Sequence, residues 1–265
     1  MIAGAGSFKR WNLAYAEYSG VSFDVSAQDT TPTGLFFKPD GTKMYIIGDS
    51  GEDVNEYDLS TAWDVSSATY LQNFSVASED TNPRGIFFKP DGTKMYVVGG
   101  AAPDINEYDL STPWDVSSAS YLQNFSVSSQ GTTATGLFFK PDGTKMYVAV
   151  FSSDPDNINE YDLSTPWDVS SATYLQNFSV ASEDFYVYFK PDGSKMYTFR
   201  RSFLASVKEY KLITPWDVSS ASFIQSFGVT SQDPSIHSGF FKPDGTKMYV
   251  VGNDSDTIYE YTFTA

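Results

Sequence analysis

Carboxylates are the residues best placed for chemistry, and they recur at regular intervals. An acidic or amide pair appears as Gln28-Asp29, Glu79-Asp80, Gln130-Gly131, Glu183-Asp184 and Gln232-Asp233. Asp29, Asp80, Asp184 and Asp233 could form a negative ring that holds a cation or a cationic ligand. The plainer reading is that each accepts backbone N–H bonds where a strand ends. Calcium needs about six to eight oxygens converging at short range, and no dedicated loop of that kind is present. No metal and no cofactor are therefore expected.

A second set of residues is singular rather than repeated. Arg200-Arg201-Ser202-Phe203-Leu204 is a basic and aromatic turn. Its counterparts Asp49-Ser50-Gly51-Glu52-Asp53, Asp154-Pro155-Asp156-Asn157 and Asn253-Asp254-Ser255-Asp256 are acidic. Just upstream, five residues separate Glu183-Asp184 from Lys190 where the other copies have eight, and Tyr186 stands where Gly34, Gly85 and Gly136 stand. The single histidine, His237, lies on a loop at the place that Arg84 holds in another copy. Tyr186, Arg200, Arg201, Phe203, His237 and Arg84 are the candidates for ligand contact. A tolerated deletion accounts for the first four equally well, and a lone loop histidine is commonly plain surface.

Composition removes several classes of function. There are 265 residues with a net charge of −16, so a nucleic-acid partner, which needs clustered Lys and Arg, is not expected. The absence of cysteine excludes disulfide scaffolds, thiolate zinc sites and cysteine nucleophiles. Met1-Ile2-Ala3-Gly4-Ala5-Gly6 is too short and Gly-rich for a signal peptide, and no long apolar run predicts membrane insertion. Aromatic residues make up 17%, which implies a large aromatic core.

One repeated phrase must position these residues. Lys-Pro-Asp-Gly-(Thr/Ser)-Lys-Met-Tyr begins at Lys38, Lys89, Lys140, Lys190 and Lys242, at spacings of 51, 51, 50 and 52. Periods near this length signal solenoids, propellers or arrays. Each unit reads as four strands. In the second, Gly85-Ile86-Phe87-Phe88 stops at Pro90-Asp91-Gly92, a turn in which glycine takes positive φ. Met95-Tyr96-Val97-Val98 returns, followed by Ile105-Asn106-Glu107-Tyr108-Asp109-Leu110 and Tyr121-Leu122-Gln123-Asn124-Phe125-Ser126-Val127. The inner two strands are continuously apolar and predict burial on both faces, whereas the outer two alternate. Between the third and fourth strands, Thr112 as cap and Pro113 as first position predict one helical turn, with Asp115 reaching back to a free N–H. Trp11, Trp63, Trp114, Trp167 and Trp216 all belong to this connection and read as packing devices.

The ends predict closure. Residues 1–10 form a tail, and 11–26 match the Trp connection and fourth strand of the other units to within one residue. The last unit lacks a fourth strand after Tyr259-Glu260-Tyr261-Thr262-Phe263. Complementary fractions suit a ring whose first strand completes its last sheet and leaves no open edge. The prediction is an all-β, five-bladed β-propeller with four antiparallel strands per blade, closed in a 3+1 arrangement.

The run Phe87 to Val98 followed by Ile105 to Leu110 resembles the YVTN/lactonase-like propeller repeats. The longer Tyr-Asp-Leu-Ser-Thr-Pro-Trp phrase is similar to repeats in phage and marine bacterial proteins. The resemblance spans almost the whole chain and implies a propeller, a fold that hosts many functions. It also implies that ligands sit on the face opposite the Pro-Asp-Gly hairpins, near the axis. Ser60 to Asp80 and Ser164 to Asp184 differ only at Ala62 versus Pro166, which points to recent amplification or construction from one blade.

Three functions are weighed. Glycoside hydrolysis needs two carboxyls of different environment facing each other. The inner strands Leu35-Phe36-Phe37, Ile86-Phe87-Phe88, Leu137-Phe138-Phe139 and Phe240-Phe241 carry none, so an enzyme is not expected. A binding module for a glycan or a surface protein, acting as a monomer, is the favoured reading. The alternative is a purely structural propeller, natural or engineered.

Overall fold

Strands form where the Pro-Asp-Gly hairpins force the chain back on itself. The computed structural model describes residues 9–151, 156–201 and 204–264. Strand β1 (Ala16–Asp24) comes first and belongs to the last blade. Blade one is β2 (Pro32–Phe37), β3 (Lys43–Gly48), β4 (Asp53–Leu59) and β5 (Ala68–Ser75). Blade two is β6 (Pro83–Phe88), β7 (Lys94–Gly99), β8 (Asp104–Leu110) and β9 (Ala119–Ser126). Blade three is β10 (Thr133–Phe139), β11 (Lys145–Phe151), β12 (Asp156–Leu163) and β13 (Ala172–Val180). Blade four is β14 (Asp184–Phe189), β15 (Lys195–Arg200), β16 (Ser206–Leu212) and β17 (Ala221–Gly228). Blade five is β18 (Ile236–Phe241), β19 (Lys247–Gly252) and β20 (Thr257–Phe263), completed by β1. The protein is a five-bladed β-propeller with four antiparallel strands per blade.

Closure follows the expected 3+1 scheme. Strand β1 pairs antiparallel with β20, from Ala16 opposite Phe263 to Asp24 opposite Thr257. The extra residue in this segment is absorbed as an irregularity between Tyr18 and Ser22, where Gly20 takes φ +84°.

Each hairpin is locked by its tryptophan. Gly92 adopts φ +76°, and a methyl group added there would overlap the Trp114 indole. All five tryptophans themselves take positive φ, from 59° to 68°. Such a backbone is costly for a bulky side chain, so surrounding contacts must hold it. Trp114 N–H donates to the Gly92 carbonyl at 3.1 Å, and its ring packs on Phe88 at 5.6 Å between centroids. The helical turn lies three residues later than expected. It is a 3-10 turn over Val116–Ser118, capped by Asp115, whose carboxylate accepts the Ser117 N–H. The left-handed Trp114 prevents a helix from starting at Pro113.

The burial gradient across a blade also departs from the expectation at the third strand. Strand β4 is buried at Asp53 through Tyr57 on consecutive positions, including Asn55 and Glu56, and only β5 alternates. The cause is a polar joint between blades. Glu56 accepts from Lys43 at 2.5 Å, from Gln72 at 3.0 Å and from the Val116 N–H of the next blade at 3.0 Å. Gln72 also donates to Asp115 across the same joint at 2.7 Å. Glu107, Glu160 and Glu209 repeat the arrangement with Val169, Val218 and Leu13. At the seam between blades five and one, Glu260 keeps Lys247 at 2.8 Å, but its other oxygen is buried without a hydrogen-bond partner.

At the axis, Phe36, Phe87, Phe138, Tyr188 and Phe240 form a closed pentagon of edge-to-face contacts. Successive centroids lie 5.2, 5.4, 5.1, 5.4 and 5.3 Å apart. With Pro90, Pro141, Pro191 and Pro243 these rings line an apolar cavity of about 160 Å³ on the hairpin side.

Candidate functional site

The innermost strand of every blade carries a bulge. In blade one Pro32 pairs with Gly48 and Gly34 with Ile47, so Thr33 has no partner in the ladder. Arg84, Thr135, Phe185 and His237 occupy the same position in the other blades. A bulge turns one residue out of the ladder and re-aims its side chain. Thr33, Arg84, Thr135 and His237 converge with Arg201 around a cavity of about 10 Å³, roughly the room of one water.

Arg201 reaches this place because it follows β15 directly. Its N–H donates to the Glu183 carbonyl at 2.9 Å. Asp49, Gly100 and Asn253 make the same backbone bond in blades one, two and five. The basic turn of blade four thus sets a guanidinium where blades one, two and five place an acid, a glycine and an amide.

The hydrogen bonds of the site are unequal. Thr33 Oγ1 lies 2.9 Å from the Pro83 carbonyl and 3.2 Å from that of Ile47, which share its one proton, and Thr135 Oγ1 donates to the Ala149 carbonyl at 3.2 Å. His237 Nδ1 lies 3.2 Å from the Pro32 carbonyl. A carbonyl only accepts, so Nδ1 carries the ring proton. Nε2 then presents a lone pair, and it is buried with no hydrogen-bond partner, on a side chain 6% exposed. Burial, reinforced by the positive charges of Arg201 and Arg84, holds His237 down at about 3, so the ring is neutral at ordinary pH. Burial also lowers Arg84, while Asp49 opposes that shift, and its Nε is buried without a partner.

Arg84, Arg201 and His237, three of the residues singled out in the sequence, therefore meet at one mouth of the axis. The others are elsewhere. Arg200 faces Glu183 at 3.7 Å. Tyr186 is buried in the apolar cavity of the hairpin side, with its ring 6.0 Å from Phe199. Phe203 lies outside the described residues.

The repeated aspartates are committed to the framework. Asp29 accepts from Thr31 N–H at 2.6 Å and Gly51 N–H at 2.9 Å. Asp80 accepts from Asn82 at 2.6 Å and Ala102 at 3.2 Å, and Asp233 from Ser235 at 2.7 Å and Ser255 at 3.0 Å. Asp184 instead holds Lys208 at 2.9 Å and Thr198 at 3.0 Å, inside the shortened blade. Burial raises Asp184, against those two donors. Among the described residues no group of three or more His, Asp or Glu could hold a metal ion. Thr33 and Thr135 were not singled out from the sequence; their signal is that they hold the place of Arg84 in the repeat.

Comparison with known proteins establishes the fold. No family model and no curated protein sequence matches the chain. Among solved structures, Kuenenia stuttgartiensis hydrazine synthase aligns with a TM-score of 0.53 and 18% identity over 83% of this chain and 55% of that one. A functionally unknown protein from Desulfotomaculum acetoxidans aligns with 0.52 and 18% over 87% and 68%. A candidate 6-phosphogluconolactonase from Bacteroides uniformis aligns with 0.52 and 14% over 86% and 65%. The chain spans little more than half of the first of these structures and about two thirds of the other two. At these identities the likeness is one of fold, shared by proteins of different function.

Proposed function

We propose that the protein is a recognition module that binds an acidic group of a glycan or surface protein at the axial mouth opposite the Pro-Asp-Gly hairpins. One observation carries this reading. Blades that are otherwise similar differ at the bulge position of the innermost strand, Thr33, Arg84, Thr135, Phe185 and His237, and four of these, all but Phe185, line the mouth. Packing of a repeated frame does not require that variety. It also gathers two guanidiniums inside a protein of net charge −16, where anion recognition is their natural use.

The module acts without turnover. The residues lining the mouth offer no pair of carboxyls to divide acid and base roles. The purely structural reading draws on a different fact, the near identity of Ser60–Asp80 and Ser164–Asp184.

A glycan array carrying neutral, uronic, sialylated and sulfated saccharides, probed with the wild type and an Arg84→Gln/Arg201→Gln variant, separates the two. Binding confined to acidic glycans and weakened at least about tenfold in the variant supports the recognition module, since a charge-assisted contact is worth about that much. Binding unchanged in the variant removes the axial mouth as the site. Silence on acidic glycans and acidic peptides alike leaves the structural reading.

A further inference from the structure

Arginines alone would accept any anion, but the mouth holds one more group. His237 Nε2 is a buried acceptor without a donor, beside Arg84 and Arg201, which only donate. A buried acceptor left unpaired is costly, so a ligand that supplies an O–H there gains over one that does not. The cavity that His237 helps to line has room for about one water, and hence for one hydroxyl. A carboxylate held by the arginines must stay at the rim, because the space inside takes a single oxygen.

Resting on the binding reading above, we propose that the axial mouth recognises a carboxylate with a hydroxyl on the adjacent carbon, the 2-hydroxy acid unit. The hydroxyl enters the small cavity and donates to His237 Nε2, while the carboxylate spans Arg84 and Arg201. Thr33 and Thr135 hold the walls, since their hydroxyl protons are spent on strand carbonyls. A ligand that brings only anionic oxygens leaves Nε2 unpaired.

Glycolate and acetate test this directly, because they share the carboxylate and charge and differ by the hydroxyl. Titration calorimetry of the wild type should show glycolate at least about tenfold tighter than acetate, the size expected when a buried polar group gains its partner. His237→Phe should erase the preference, bringing glycolate down to the affinity of acetate, and Arg84→Gln should weaken both. Should His237→Phe not fold, the Nε2 nitrogen resonance of the wild-type ring gives a second readout, shifting with glycolate and not with acetate. Equal affinity for the two acids, a preference that survives His237→Phe, or an unmoved Nε2 resonance at saturating glycolate overturns the proposal. Acidic glycans that still bind through Arg84 and Arg201 when glycolate shows no advantage would sink this inference and leave the recognition module standing.

Discussion

Tyr249 donates its hydroxyl to the backbone carbonyl of Trp63, 186 positions earlier and in the neighbouring blade, at 2.7 Å. The same bond joins Tyr45 to Trp114, Tyr96 to Trp167, Tyr147 to Trp216 and Tyr197 to Trp11. Five such bonds run round the ring, so each Trp that locks its own hairpin is also held by the blade before it. This explains why the repeat couples Met-Tyr on the second strand to a tryptophan in a left-handed turn. The tyrosine secures the carbonyl that this unusual backbone exposes.

The five bonds are not of equal worth. The Trp63 carbonyl also accepts from Lys247 at 2.9 Å, whereas Tyr45 is the donor described for Trp114. Tyr45→Phe should therefore cost about 1–3 kcal/mol, because it leaves a buried acceptor unpaired, and Tyr249→Phe about 0.5–1.5 kcal/mol. Urea unfolding of both variants checks the order. A larger loss in Tyr249→Phe would mean that Lys247 does not cover for the hydroxyl.

Two glycines at positive φ separate backbone strain from steric overlap. Gly20, in the closing strand, has open space where a methyl group would go, while Gly92 has the Trp114 ring there. Gly20→Ala should cost about 1–2 kcal/mol, the penalty of a left-handed alanine. Gly92→Ala carries the same penalty and must also displace the indole, so its loss should exceed that of Gly20→Ala by at least about 1 kcal/mol. Thermal unfolding monitored by tryptophan fluorescence measures both. Equal losses would show that the hairpin lock yields without strain.

The ring, the blade count and the closing strand were legible in the sequence because each repeats one phrase, and repetition fixes register. Asn55 and Glu56 were misread as part of an alternating third strand because the burial of Glu56 comes with its bond to the Val116 N–H of the next blade, which periodicity within one strand does not reveal. The pairing of Arg84 with His237 could be read from their shared place in the repeat. Their meeting with Arg201 could not, since it depends on a bulge in the innermost strand, where the first two sit, and on the residue after β15, where the third sits. The plainer reading of the repeated aspartates, acceptors of backbone N–H bonds at strand ends, describes Asp29, Asp80 and Asp233, while Asp184 turns to Lys208 and Thr198 instead.

His237 links the axial mouth to acid stability. Its ring is held at about 3 in the folded protein against an ordinary value of 6.5, by burial first and then by Arg201 and Arg84. Between those values the unfolded chain binds a proton that the folded chain refuses. The contribution is therefore fully present above pH 6.5 and is lost as pH falls toward 3, with a slope of up to ~1.4 kcal/mol per pH unit. Asp49 and Asp80, whose charges act on Arg84, are present in wild type and variant alike. His237→Gln should consequently flatten the fall in unfolding free energy between pH 6.5 and 4, measured by urea titration at half-unit steps. Parallel curves would mean that the folded ring accepts a proton as readily as the unfolded one, and that the arginines do not press on it.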